Sequence, residues 1–336
     1  MIGFRTAAVA AAFAFFGAGG ALAQGVDMAA AKKEGKVSWY TSTPVATAQK
    51  IAKAFEADTG IRVELFRSGG SAVLSRFMQE YDAKRIAADV LTTSDPAAAA
   101  SMTRKGMFVP FKPKDWDKIP DAAKDKDGNH VAQRLNMITI YAREDKISAA
   151  DMPKAWTDLT NAKYKGQMVM PNPSFTSLQV SVVGTLSKKL GWKYYEELRK
   201  NDTMVVQGNE QVLDMVKRGE RLIAAGALDS YAGDARAEGH KIKSIFPTDG
   251  TFVIASPTSI IKGSPNPNAA KAFADYMLSE KVQKMFPEDG GYAARIDVAP
   301  PKDSPAVKDL VILAVDFDAI EKDTPAIKEK FNEVFQ

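Results

Sequence analysis

Residues 251–280 read TFVIASPTSIIKGSPNPNAAKAFADYMLSE. Two short apolar runs, Val253-Ile254-Ala255 and Ser259-Ile260-Ile261, flank Ser256-Pro257. A proline cannot donate to a β-ladder, so the pattern predicts a strand broken at that point. Asn266-Pro267 then offers an N-cap and a proline at the first helical position, and Ala270, Phe273, Tyr276 and Met277 recur at helical spacing. A proline-broken strand and a capped helix this late in a long α/β chain mark a backbone re-entering a sheet it had left. The expected architecture is two lobes joined by crossovers.

On the N-terminal side the pattern alternates strands and helices. Residues 37–40 read as a strand, Thr41-Ser42-Thr43-Pro44 as a polar turn, and Ala48, Ile51, Ala52 and Phe55 as one face of a helix closed by Gly60. Residues 61–66 form the next expected strand. Arg67-Ser68-Gly69-Gly70-Ser71 turns into a helix striped by Leu74, Phe77, Met78 and Tyr81, and residues 89–93 are a third strand. This β-α-β-α-β order implies a parallel sheet with right-handed crossovers. The polar stretch 111–129, whose lysines alternate with aspartates, reads as a solvated connection leading to a long strand over 131–142. The same logic follows in the second half, with strands at 167–170, 204–206 and 222–228. Turns lie at 171–174 and 207–209, and helix stripes run through Gln179, Val182, Val183, Leu186 and Leu190, then through Val212, Leu213 and Val216. The last strand empties into Asp229-Ser230-Tyr231. Paired helices over 268–286 and one or two closing helices over 308–335 complete the chain.

The 251–280 segment, with its strand, loop, Asn-Pro and Ala-rich helix, resembles the second hinge crossover of the periplasmic solute-binding proteins of ABC importers, in the cluster that contains the ferric-ion-binding proteins. The likeness extends over nearly the whole chain beyond its leader. It implies an α/β, type 2 two-lobe fold, each lobe a mostly parallel sheet flanked by helices. One lobe is expected over residues 24–130 plus 252–300 and the other over 131–251 plus 301–336.

Composition is consistent with that reading. Arg5, the mostly apolar residues 6–16 and Ala21-Leu22-Ala23 before Gln24 have the form of a cleavable export signal, cut after Ala23 and directing the protein to the periplasm. The chain has 336 residues, more than one core usually holds. With no cysteine it has no disulfide, thiolate ligand or lipid-bearing thiol. A net charge of +4 from 45 basic and 41 acidic residues leaves no basic footprint for nucleic acid.

In parallel sheets ligands sit beyond the carboxyl ends of the strands, which singles out the loops carrying Thr41, Ser42, Ser94 and Asp95. The sharpest candidate is Ser174-Phe175-Thr176, at a helix start where unpaired N–H groups and hydroxyls suit an anion. There the ferric cluster's matching turn holds a small anion such as phosphate. The resemblance also implies a ligand-facing amide at Asn209. In ferric relatives the strand before residue 229 ends in two adjacent metal-binding tyrosines, assisted by a His and a Glu. Here those positions are Asp229-Ser230, with Tyr231 one place on, Pro44 near the His position and Ser94 near the Glu position, so most of the metal's donors are missing. Asp229 and Asp95 are instead expected to receive an ammonium or sugar hydroxyls, and one of Trp39 and Tyr40 to wall the cleft. Ser-Gly-Gly-Ser at 68–71 lacks the lysine of a phosphate loop and is given at most a supporting anion role. Tyr194-Tyr195 reads as packing.

The expectation is a monomeric binding protein, without enzymatic activity, cofactor or resident metal. It would capture a small anionic solute, of phosphonate, sugar phosphate or organic acid type, and deliver it to an ABC permease. A ferric-ion carrier using a synergistic anion is the alternative. An exported hydrolase lacks support, because no Gly-x-Ser-x-Gly, phosphate-binding lysine loop or His-Glu-x-x-His occurs and the two histidines, His130 and His240, are far apart in sequence.

Overall fold

The computed structural model describes residues 25–336. The signal-like stretch and the cleavage point after Ala23 lie outside the described residues. The chain begins α1 (Met28–Glu34), β1 (Lys36–Thr41), α2 (Val45–Thr59), β2 (Arg62–Arg67), α3 (Gly70–Asp82), β3 (Val90–Thr92), α4 (Pro96–Arg104) and β4 (Phe108–Val109). A long strand, β5 (Val131–Arg143), leads to β6 (Met168–Pro171), α5 (Ser177–Leu190), α6 (Lys193–Lys200), β7 (Met204–Val206), α7 (Asn209–Arg218), β8 (Ile223–Leu228), α8 (Asp229–Ala237) and β9 (Ile242–Ile245). The chain returns through β10 (Phe252–Ile261), α9 (Pro267–Met277), α10 (Glu280–Glu288) and β11 (Tyr292–Ala293), and closes with α11 (Phe317–Phe335).

The strand order β2-β1-β3-β10-β5-β8-β6-β7 shows how two lobes share one sheet path. Parallel strands β2, β1 and β3 build one half and parallel β6, β7 and β8 the other. Antiparallel β10 and β5 lie between them. The first part of β5 pairs with β10 and β11, and its later part pairs with β8 and β9. One strand therefore belongs to both halves. The expected break at Ser256-Pro257 is a bulge within a single strand: the register against β5 shifts between Ala255 and Pro257 and then resumes, and β3 pairs on the other edge from Thr258. A proline at a bulge leaves no ladder donor unmatched, so the strand survives it.

Both faces of the first half are covered by helices, which decides the fate of Trp39 and Tyr40. Trp39 packs on Phe273, ring centroids 5.1 Å apart, and its Nε1–H donates to Thr92 Oγ1 at 2.9 Å. Tyr40 points to the other face among Val73, Phe77 and Leu91, and its hydroxyl donates to Glu80 at 2.8 Å. Alternation puts one ring on each side of a sheet buried on both sides, so neither reaches the cleft. The core of the second half gathers Trp156, Val182, Tyr195, Phe252 and Phe331, with Tyr194 and Tyr195 buried in it.

Asn266 occupies the cap position of α9, but its side chain does not cap the helix. It donates to Asp89 Oδ2 at 3.0 Å, while Asp89 Oδ1 accepts from the Asn266 backbone at 2.8 Å and Ser264 Oγ at 2.6 Å. Glu34 supplies the cap instead, accepting from Asn268 and Ala269 N–H at 3.2 and 2.7 Å. The Asn-Pro signal marks the helix start correctly, and a carboxylate distant in sequence satisfies it.

The closing helix packs on α5 through Ile320 and Ile327 and on Tyr195 of α6 through Phe331. A Cβ at Gly184 would stand 2.4 Å from Ile320 Cδ1 and 2.7 Å from Ile327 Cδ1. Elsewhere in a helix, Gly→Ala gains roughly 0.5–1 kcal/mol. Here Gly184→Val is expected to destabilise the protein by about 1–3 kcal/mol through overpacking, read as a lower denaturant midpoint in equilibrium unfolding; an unchanged midpoint would show that α11 does not pack this closely.

Candidate functional site

A cleft of about 340 Å³ lies at the carboxyl ends of both sets of parallel strands. Ser42 and Pro44 from the β1–α2 loop, residues 67–70 from β2–α3, Ser94 and Arg134 line one side. Residues 175–178 from β6–α5, 207–211 from β7–α7, Leu228 and Tyr231 line the other.

Its floor is Arg134, only 4 % exposed, on the part of β5 that pairs with β10 and β11. The guanidinium donates through Nε to Asn136 Oδ1 (3.1 Å), through Nη1 to Thr43 Oγ1 (2.8 Å) and Gln133 Oε1 (3.3 Å), and through Nη2 to Ser94 Oγ (3.2 Å). All four acceptors are neutral, and a guanidinium has five N–H donors. Burial pulls its pKa down to about 9; Tyr231 opposes that shift and the like charge of Arg67 adds to it. The acceptors are held in turn: Thr41 Oγ1 donates to Thr43 (2.7 Å), and Asn136 Nδ2 donates to Ser256 Oγ and the Ile254 carbonyl (both 2.8 Å). The result is a fixed buried cation without a carboxylate partner among the described residues, a costly arrangement unless an anion completes it.

The helices that start on this cleft include α3, α5 and α7. The cap residues of α3, α5 and α7 are Gly69, Thr176 and Gly208; none of these three residues caps its first turn with its own side chain, and at α7 Gln211 Oε1 accepts from the Gly208 N–H at 3.2 Å. Unpaired N–H groups and the positive ends of helix dipoles are thus directed at the same space as Arg134. The two sides are in contact. A Cβ on Gly70 would lie 2.6 Å from Ser177 Oγ, and one on Gly69 would lie 3.0 Å from the Phe175 carbonyl. At the mouth, Arg67 pairs with Glu210 across the cleft (3.0 Å), and its Nε donates to the Thr43 carbonyl (3.0 Å). Tyr231 OH lies 3.4 Å from Arg67 Nη2 and 3.3 Å from Glu210 Oε1. Burial pushes its phenol well above the ordinary range, so it stays protonated.

Of the residues singled out from sequence, Ser42, Ser94, Phe175, Thr176, Asn209 and Tyr231 line this cleft. The others do not. Thr41 lies beneath it, supporting Thr43. Ser174 sits in the turn before α5, its N–H donating to Asn172 Oδ1 at 2.8 Å. Asp95 caps α4, Oδ1 accepting from Ala98 N–H at 2.9 Å. Asp229 begins α8 and turns under β5, Oδ1 accepting from Thr139 Oγ1 at 2.9 Å; burial raises its carboxyl pKa. The expectation that Asp95 and Asp229 face the ligand treated both as strand-end residues, but each is drawn into a helix start. The carboxylate that does line the cleft is Glu210, which sequence reading passed over together with Arg134. A signal for Arg134 was present: Gln133-Arg134 and Asn136 interrupt an otherwise apolar strand.

The donor set does not favour a hard trivalent cation, which needs several anionic oxygens. The cleft presents two guanidinium groups against one carboxylate and one protonated phenol. Among the described residues no three His, Cys, Asp or Glu side chains converge.

Fold and cleft together define a periplasmic-binding-protein architecture of type 2. The family described as "Bacterial extracellular solute-binding protein" matches residues 86–323, and the chain belongs to it. Among relatives, a probable ABC transporter periplasmic-binding protein of Sinorhizobium fredii, y4fP, is 25 % identical over 252 residues, covering 72 % of this chain and 67 % of its own. The major ferric iron-binding protein of Neisseria meningitidis serogroup B is 23 % identical over 263 residues, covering 74 % and 77 %. Among solved structures, the periplasmic binding protein AfuA of Actinobacillus pleuropneumoniae, with exogenous fructose-6-phosphate bound, superposes with a TM-score of 0.79 at 18 % identity, covering 89 % of this chain and 98 % of its own. The protein is therefore a solute-binding protein of the class that serves ABC importers.

The tight approach of α3 to α5 gives a test of closure. Gly70→Val is expected to leave the melting temperature unchanged but to hold the halves apart, raising the radius of gyration in solution scattering. A profile identical to wild type would show that Gly70 does not meet Ser177 in solution.

Proposed function

We propose that the protein captures a small solute carrying a phosphate, phosphonate or carboxylate group, seats that group against Arg134 and the starts of α3, α5 and α7, and delivers it to an ABC permease. The observation that carries this reading is the buried Arg134 whose acceptors are all neutral. A cavity of about 340 Å³ is at the small end of ligand sites, which run roughly 300–1,000 Å³, and suits a compact solute. Glu210, with Asn209 and Gln211 beside it, takes the part first assigned to Asp229 and Asp95, accepting hydroxyl or ammonium protons from the other end of the ligand. Ser42, Ser94 and Thr176 offer hydroxyls along the sides.

A ligand touching both halves binds the closed arrangement better and so shifts the population toward it. We take the moving units to be residues 24–130 plus 252–300 and 131–251 plus 301–336, with the start of β5 travelling with the first through the bonds of Arg134 to Thr43 and Ser94, acting as a monomer, exported and cut after Ala23. Relatives include proteins named for ferric iron and one bound to a sugar phosphate. The charge of this cleft supports the phosphate-like ligand.

In a thermal-shift screen of phosphonates, sugar phosphates and organic acids, one class is expected to raise the melting temperature saturably. Ligand at 100 times its Kd adds about 2.7 kcal/mol. Arg134→Gln should lose at least about 30-fold in affinity, since truncating one partner of a buried charge pair costs about 2–5 kcal/mol, while its melting temperature stays near or above wild type because an uncompensated buried charge has gone. Undiminished affinity in this variant would refute the assignment.

A further inference from the structure

A second contact between the halves lies where α8 meets the turn after α10. A Cβ on Gly233 would stand 2.5 Å from Gly290 Cα, and one on Gly290, whose φ is +69°, would stand 2.6 Å from Gly233 Cα and 3.0 Å from the Ser230 carbonyl. Two backbones without side chains are pressed together, and each contact residue has an aspartate as neighbour: Asp234 follows Gly233 and Asp289 precedes Gly290. Asp289 is fixed on its own side by Thr47 Oγ1, which donates to it at 2.8 Å, and by Lys50 of α2. Closing the glycine contact therefore carries Asp234, on the opposite half, toward a carboxylate already in place.

The other charges facing Asp234 do not neutralise it. Glu238 lies one turn further along α8, and Lys217 of α7 is paired with Glu238, which also has His240 at 3.8 Å. Lys50 is paired with Asp289. Both lysines are thus engaged by other carboxylates. Burial, then Asp289 and Glu238, push the Asp234 carboxyl up to about 7, against the weaker pull of Lys50 and Lys217.

We propose that Asp234 and Asp289 make lobe closure proton-linked: closing the Gly233–Gly290 contact takes up a proton on the aspartate pair, so mild acid favours the closed form and neutral or higher pH opposes it. The inference rests on the reading that the two halves open and close around the cleft, but it does not depend on the ligand. In the open form Asp234 is parted from Asp289 and so holds a proton less tightly than in the closed form. The closed-to-open ratio should then fall as pH rises toward about 7, by at most about tenfold per pH unit, and level off above it.

Solution scattering of the full-length mature protein without ligand tests this directly. The radius of gyration should be smaller at pH 5 than at pH 8. Asp234→Asn should remain compact at both, and Asp289→Asn, which leaves Asp234 in place, should narrow the difference. Equal radii at the two pH values in wild type, or a difference that persists unchanged in Asp234→Asn, would overturn the proposal. Titration with inorganic phosphate at pH 8 separates the two readings. If phosphate binds in an Arg134-dependent way while the radii are equal, only the proton link fails; if the radii respond but phosphate, phosphonates and organic acids all fail to bind, only the anion reading fails.

Discussion

The guanidinium of Arg134, buried and ringed by neutral acceptors, is the constraint on which the rest of the cleft depends. A charge removed from water and given no opposite charge is unfavourable by several kcal/mol unless something supplies the missing partner. Thr43, Gln133, Asn136 and Ser94 orient the group without cancelling it, and Thr41 and Ser256 hold those acceptors. Because Arg134 lies on the part of β5 that pairs with β10 and β11 and is bonded to Thr43 and Ser94, it is fixed to the first half. The floor of the cleft is preorganised, and the walls close over it.

Closure itself is built from small residues and balanced charge. Gly69 and Gly70 let the start of α3 approach the start of α5, and Gly233 and Gly290 let α8 touch the turn after α10. The Arg67–Glu210 pair across the mouth favours the closed form modestly, since partly exposed pairs are worth only about 0.2–1 kcal/mol. Against it stand Asp234 and Asp289. An attraction at the mouth opposed by a repulsion at the glycine contact suits a protein that must both capture and release.

How much of this could be read in advance follows from the range over which each interaction acts. The strand at 37–40, the helix closed by Gly60 and the helix start at Asn266-Pro267 were legible because periodicity, αL glycines and proline act within a few residues. Trp39 and Tyr40 could not be assigned because alternation separates two faces without saying that both are covered. Asp95 and Asp229 looked like cleft residues because they follow strands. Both went elsewhere once Asp95 capped α4 and Asp229 met Thr139, a partner on a different strand.

The linear order of residues determined the alternation of strands and helices, the two-lobe architecture, the sheet edge on which a ligand would sit, and the hydroxyl and amide residues of its loops. Tertiary structure alone decided that Arg134 is buried among neutral acceptors, that the starts of α3, α5 and α7 share one space, and that Glu210, not Asp229, lines it. The physical reason is that secondary structure is set by neighbours along the chain, whereas the energy of a charge is set by burial and by groups brought near it from distant positions.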